Sequence, residues 1–175
     1  MEFEPVVVTG VGTVSSVGIG KDDFWAGIIA GKSGVKPVTL IAEKYMSACR
    51  IGAEITGFDP LKYVEPKQAK RMDRFIQFAV AGSKLALADA KLDMSEEDAE
   101  RVGVIIGSAA GGFATIEAQT QTMFEKGPGR ISPLTVPMLI VNMAAGWVSI
   151  VHIIDDLLLS SDIVINPHII NPTLK

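Results

Sequence analysis

The chain has 175 residues, 48% of them apolar and 21% charged, with aromatics at 6%. At about 150 residues per domain this is one domain or slightly more, and a chain of that size removes roughly 68–70% of its unfolded surface from water, which argues against disorder. A total of 16 Lys and Arg against 20 Asp and Glu leaves a net charge of −4, which argues against general nucleic-acid binding, because that affinity comes mainly from neutralising phosphates.

Pro5-Val6-Val7-Val8-Thr9-Gly10 reads as a buried strand, since β-branched runs bounded by Pro and Gly are the strand signal. A Gly/Ser loop to Gly20 follows. Asp22 or Asp23 then caps a short helix carrying Phe24, Trp25, Ile28 and Ile29, which Gly31 ends. Residues 32–60 are mixed, with an edge strand at Arg50-Ile51-Gly52-Ala53-Glu54-Ile55 and a turn at Asp59-Pro60. The longest helix is placed over Gln68 to Ala90, where Met72, Phe75, Ile76, Ala79, Val80 and Leu87 recur at helical spacing and define a buried stripe. Ser95 and Asp98 resemble a capping box. Val102 to Gly107 is a second buried strand; helices follow from Phe113 to Glu125 and from Met138 to Val151, separated by a Gly/Pro-rich loop. Strands alternating with helices give the α/β class with a mostly parallel sheet. Only two central strands are clear, so the sheet is incomplete and the chain is part of a larger fold.

The residues offer several motifs and no complete catalytic set. Gly10-Val11-Gly12 after a strand superficially suits a dinucleotide loop, but Ser15 stands where the third glycine should be and the helix starts late, so a tight strand-exit loop is the better reading. Lys67, Lys70, Arg71 and Arg74 fall at i, i+3, i+4, i+7 and would share one helix face, either as a solvated surface or as a docking patch. Gly127-Pro128-Gly129-Arg130 presents one arginine on a rigid loop. Cys49 is the one cysteine and reads as a packing residue, and His152 and His168 sit among Ile and Leu without metal spacing. No disulfide is possible within the chain, which fits a reducing, cytoplasmic compartment. No stretch reaches the roughly 20 apolar residues of a spanning helix, and the acidic start Met1-Glu2-Phe3-Glu4 is unlike a secretory signal. The mean hydropathy of +0.34 is high and implies doubly buried strands or a surface for a partner subunit.

Taken together, Val8-Thr9-Gly10-Val11-Gly12, the run Trp25 to Gly34, Arg71-Met72-Asp73-Arg74-Phe75, Gly107-Ser108-Ala109-Ala110-Gly111-Gly112, Arg130-Ile131-Ser132-Pro133, Val136-Pro137-Met138 and Asn142-Met143-Ala144-Ala145-Gly146 resemble, in order and spacing, the N-terminal part of the β-ketoacyl-acyl-carrier-protein synthases, most similar to type II. The resemblance implies the thiolase-like fold, here its first α/β half over residues 1–150, and a homodimer that elongates fatty acids by decarboxylative condensation. It implies no cofactor. It also implies that Lys67, Lys70, Arg71 and Arg130 dock acidic acyl carrier protein, that Ile116 lines the acyl pocket near the dimer interface, and that Leu134 sits in the same region. The family nucleophile is a cysteine soon after the Asn-Met-Ala-Ala-Gly helix, with two histidines and a lysine far downstream. Residues 151–175 diverge from the family and hold no cysteine, so none of Cys49, His152 and His168 is given a catalytic role. The expectations are therefore a truncated synthase, inactive alone, or a non-catalytic module that docks carrier protein or pairs with a full-length synthase; a dinucleotide-binding protein rests on the Gly10 loop only.

Overall fold

The computed structural model describes residues 5–41, 48–152 and the backbone of 158–159. Six α-helices and four two-residue strands are placed among them: α1 (Lys21–Ile29), β1 (Lys36–Pro37), β2 (Ile51–Gly52), α2 (Pro66–Ala69), α3 (Arg74–Ala90), β3 (Val104–Ile105), α4 (Phe113–Lys126), α5 (Thr135–Leu139), α6 (Met143–His152) and β4 (Leu158–Leu159).

The core forms where the apolar stripe of α3 meets α6. Ile76 and Val80 are 0% exposed, and they pack with Met72, Ala145 and Val148 over Val104 of β3, with Val64 and Ala69 closing one end. Ala144, Ala145 and Gly146 give α6 a small-residue face, so the two helices approach closely. At the far end of α3, Lys91 takes the left-handed conformation at φ 55° and stops the helix.

The strand expectations hold only in part. β3 and β4 pair in parallel, Val104 with Leu158 and Ile105 with Leu159, within the run expected at residues 102–107. β1 and β2 pair antiparallel, Lys36 with Gly52 and Pro37 with Ile51, at the expected edge strand. Glu54 steadies that edge by accepting from the Leu40 N–H and from the Thr39 N–H and hydroxyl, each at 2.8 Å. The buried strand expected at Pro5 to Gly10 is not seen: that segment joins no ladder, and Val6, Val7 and Val8 are 60–71% exposed. β propensity measures fit to a pleated, covered surface, and nothing among the described residues covers these valines.

Two helices also differ from their expected form. The single helix over 68–90 is broken: α2 ends at Ala69 and α3 begins at Arg74, because Asp73 adopts an extended N-cap conformation (φ −68°, ψ 163°). The helix around 138–151 is likewise divided into α5 and α6. Residues 153–157 and 160–175, with His168, and the start Met1-Glu2-Phe3-Glu4 lie outside the described residues.

Candidate functional site

The close packing of α3 explains the glycines of the Gly10-Val11-Gly12 loop. A Cβ on Gly12 would lie 1.9 Å from the Gly82 carbonyl oxygen, and one on Gly10 would lie 2.2 Å from that of Ala86. The close approach these glycines permit is therefore taken up by α3. Val11 N–H donates to Asp89 of α3 at 3.0 Å, and Lys21 pairs with the same carboxylate. The Lys21 ammonium, helped by that N–H, holds Asp89 below its ordinary value, and Asp89 in turn raises Lys21. The loop is a strap joining the start of the chain to α3.

The four cations expected on one helix face do not share one, because the break at 70–73 interrupts it. Lys67 lies on α2 and Lys70 and Arg71 in the turn that follows, all three exposed. Arg74 is drawn aside: its Nη2 donates to the Ile55 carbonyl at 2.6 Å, and its guanidinium carbon stands 4.8 Å from the Phe78 ring centroid and 5.9 Å from that of Phe58. Such cation–π stacking fixes an arginine against its own fold.

What sequence reasoning missed is how the turn is held. Asp73 and Thr115 are buried, at 6% and 7% exposure. The Asp73 Oδ2 accepts from the Thr115 backbone N–H at 2.8 Å and from its hydroxyl at 2.6 Å. Gln77 Nε2 donates to the carbonyls of Ala69 at 3.1 Å and Met72 at 3.4 Å, satisfying groups at the end of α2. The signals available in sequence were Pro66, a first-turn residue, and Asp73, a strong N-cap type.

Arg130 lies elsewhere. It closes a short 3-10 turn after the C-terminal end of α4, whereas Asp73 meets the N-terminal end; a helix of 14 residues rises about 21 Å between them. Arg130 is exposed, and the loop returns along α4 with Ser132 N–H donating to Gln119 Oε1 at 2.8 Å. Ile116 on α4 and Leu134 at the start of α5 are partly exposed, on two helices that pack together.

Cys49 corrects an expectation: it is exposed rather than packed, with its Sγ donating to the Ile51 carbonyl at 3.5 Å. Cys49 precedes β2, in a segment with no regular structure, and is not part of the buried cluster. His152 Nε2 meets Ser83 Oγ at 3.0 Å, but that hydroxyl donates to the Val80 carbonyl at 2.9 Å, so it accepts from the imidazole. Burial, then the charge of Lys84, holds His152 below its ordinary 6.5. The pair ties α3 to α6. Among the described residues no group of three or more His, Cys, Asp or Glu is arranged to hold a metal ion, and no helix is long and apolar enough to cross a membrane.

Comparison with known proteins matches residues 3–154 to the β-ketoacyl synthase N-terminal domain. The 3-oxoacyl-[acyl-carrier-protein] synthase 2 of Synechocystis sp. is 42% identical over 150 residues, covering 86% of this chain and 36% of that protein. The solved ishigamide ketosynthase/chain length factor superposes with a TM-score of 0.76 at 26% identity, over 85% of this chain and 37% of its own. A type II PKS ketosynthase, AntDE, solved with its acyl-carrier protein AntF, superposes with a TM-score of 0.69 at 22% identity, over 85% and 38%. The chain thus spans little more than a third of the length of the relatives it matches. Its fold is that of the thiolase-like ketosynthases in their N-terminal part, and the chain belongs to the β-ketoacyl synthase family through that N-terminal domain.

Proposed function

We propose that this chain serves the elongation of fatty acids as the N-terminal segment of a 3-oxoacyl-[acyl-carrier-protein] synthase 2 type of condensing enzyme, and that its own contribution is to dock acyl carrier protein. The observation that carries this reading is the exposed cluster Lys67, Lys70 and Arg71, projecting from α2 and a tightly held turn on a chain of net charge −4. A local positive cluster on an acidic chain selects an acidic partner and steers its approach. The ketosynthase solved with its carrier protein supplies a precedent for the partner class. Arg130 extends the docking surface along α4, and Ile116 with Leu134 contributes to the acyl-binding region.

Condensation requires a thiolate to hold the acyl chain and donors to stabilise the enolate and the thioester oxyanion. Cys49 is the one thiol in these 175 residues, and it lies far upstream of the place, soon after Asn142-Met143-Ala144-Ala145-Gly146, where the family carries its nucleophile. We therefore assign the 175-residue chain alone no condensing activity. A second reading, pairing with a further synthase subunit, is favoured by the apolar side chains that α4 and its neighbours leave exposed: Phe113, Phe124 and Val136. The residues beyond 150 are assigned to neither role.

The test is titration of purified acyl carrier protein against the chain and its Lys70→Glu/Arg71→Glu variant. Exposed ion pairs contribute about 0.2–1 kcal/mol each. Reversing two charges also adds repulsion, so the affinity drops about tenfold or more and the remaining binding loses its salt dependence. Equal affinity for both proteins rules out docking through this turn. Turnover of acyl and malonyl carrier protein by the chain alone would rule out its assigned inactivity.

A further inference from the structure

We propose that Asp73 is a positioning residue for the carrier-docking turn, acting as the N-cap of α4 across the fold and thereby fixing the backbone from which Lys70 and Arg71 project. The inference rests on the docking reading given above. Asp73 stands in sequence at the N-cap of α3, yet its carboxylate makes no bond to that helix. It turns to α4, accepting from the backbone N–H and hydroxyl of Thr115, the third residue of that helix and 42 positions away. An N-cap side chain ordinarily accepts from the second or third N–H of its own helix. Here the bond is made by a residue from another element.

The residue at the N-cap of α4 explains why. Gly112 has no side chain to offer, and a Cβ there would lie 2.9 Å from Asp73 Oδ2. The carboxylate occupies the place that a capping side chain would take. Two helix N-termini, of α3 and α4, thus converge on one buried carboxylate, where both dipoles favour a negative group.

The turn gains its rigidity from this. Its last two residues, Met72 and Asp73, are buried, and its first two, Lys70 and Arg71, are exposed. Gln77 holds the carbonyls of Ala69 and Met72 on the α3 side, and Asp73 holds the α4 side. With the backbone fixed at both edges, docking has only the Lys70 and Arg71 side chains to order at this turn, which lowers the cost of association.

The test is calorimetric titration of purified acyl carrier protein against the 175-residue chain at several salt concentrations. Circular dichroism fixes a temperature at which every variant is folded. Lys70→Glu/Arg71→Glu loses about tenfold or more in affinity and its salt slope flattens. Asp73→Ala loses about tenfold, with its salt slope moved toward that of the charge reversal, because the cations no longer start from one placement. Asp73→Asn, whose amide oxygen still accepts from Thr115, recovers affinity to within about threefold of the parent. If the charge reversal weakens binding while folded Asp73→Ala keeps the parent affinity, the positioning role is wrong and docking stands. Affinity lost at an unchanged salt slope marks general loosening and also overturns the role. If the charge reversal itself has no effect, the docking reading fails and takes this inference with it. Should Asp73→Ala not fold, Thr115→Val, which keeps the backbone bond and the side-chain shape, decides: about a threefold loss supports the role and parent affinity refutes it.

Discussion

Thr115→Val tests the interior bond on which the candidate site rests. Valine matches threonine in shape and in helix propensity, so the substitution opens no cavity, although its methyl must stand farther from the carboxylate than the hydroxyl does. What it removes is the 2.6 Å bond from the hydroxyl to Asp73 Oδ2, in a place where Thr115 is 7% exposed. A hydrogen bond to a charged acceptor contributes about 1.5–3 kcal/mol net. The carboxylate keeps its 2.8 Å bond from the Thr115 N–H, which puts the loss toward the lower end, about 2 kcal/mol. At about 2–4 °C per kcal/mol for a chain of this size, the melting temperature falls by roughly 4–8 °C. Asp73→Ala removes both bonds and leaves the N–H and hydroxyl of Thr115 buried without that acceptor, a loss of about 3–5 kcal/mol. Urea unfolding of the parent, both single variants and the double variant gives the coupling directly. The two losses overlap, so the double variant is no less stable than Asp73→Ala by more than about 0.5 kcal/mol. A Thr115→Val protein within about 0.5 kcal/mol of the parent, or strictly additive losses, would show that the bond does not hold α4 to the turn.

Three further outcomes concern His152, Lys91 and Gly12. His152 is held below its ordinary 6.5, so the unfolded chain binds a proton more readily than the folded one; stability is full above about pH 6.5 and declines as pH falls through the lowered value. His152→Gln flattens that part of the melting-temperature profile, and an unchanged profile would assign the dependence to another group. Lys91→Gly relieves a left-handed backbone at φ 55° and stabilises the chain by about 0.5–1 kcal/mol, read as a rise in urea midpoint at constant slope. Gly12→Ala drives a Cβ to within 1.9 Å of the Gly82 carbonyl and costs about 1–3 kcal/mol, whereas Gly129→Ala, with nothing within 4 Å of its Cβ, changes stability little; equal thermal shifts for the two would deny the strap its contact with α3.

The positions of the helices were legible in the sequence and their interruptions were not. The stripe Met72, Ile76 and Val80 announces a buried face, with Met72 in the turn and Ile76 and Val80 on α3, and the same residues form the core. Periodicity carries no information about Asp73, however, because the break at 70–73 leaves the apolar residues at helical intervals along the sequence although the helix itself is interrupted. The cations were legible as a cluster and misread as a helix face for that reason. The partner of Asp73 was hidden more deeply: Thr115 lies 42 residues away, and no local pattern reports such a pairing. Val6, Val7 and Val8 show the opposite failure, since their β-branched pattern is strong and the surface that would bury them is not among the described residues. Motif order, by contrast, was sufficient for the family, because several short signals agreed at consistent spacing.

The meeting of α3 with α6 also sets a timetable for synthesis. Val80 and Val148 pack in one cluster although 68 residues separate them in the chain. At about 5–20 residues per second, the ribosome exposes the apolar face of α3 for roughly 3–14 s before α6 is made to cover it. A stripe that contains Ile76 and Val80 is then an open hydrophobic surface on a nascent chain, and contacts so distant in sequence close slowly once available. The helix pair that makes the core is thus also the segment for which a chaperone would compete during translation.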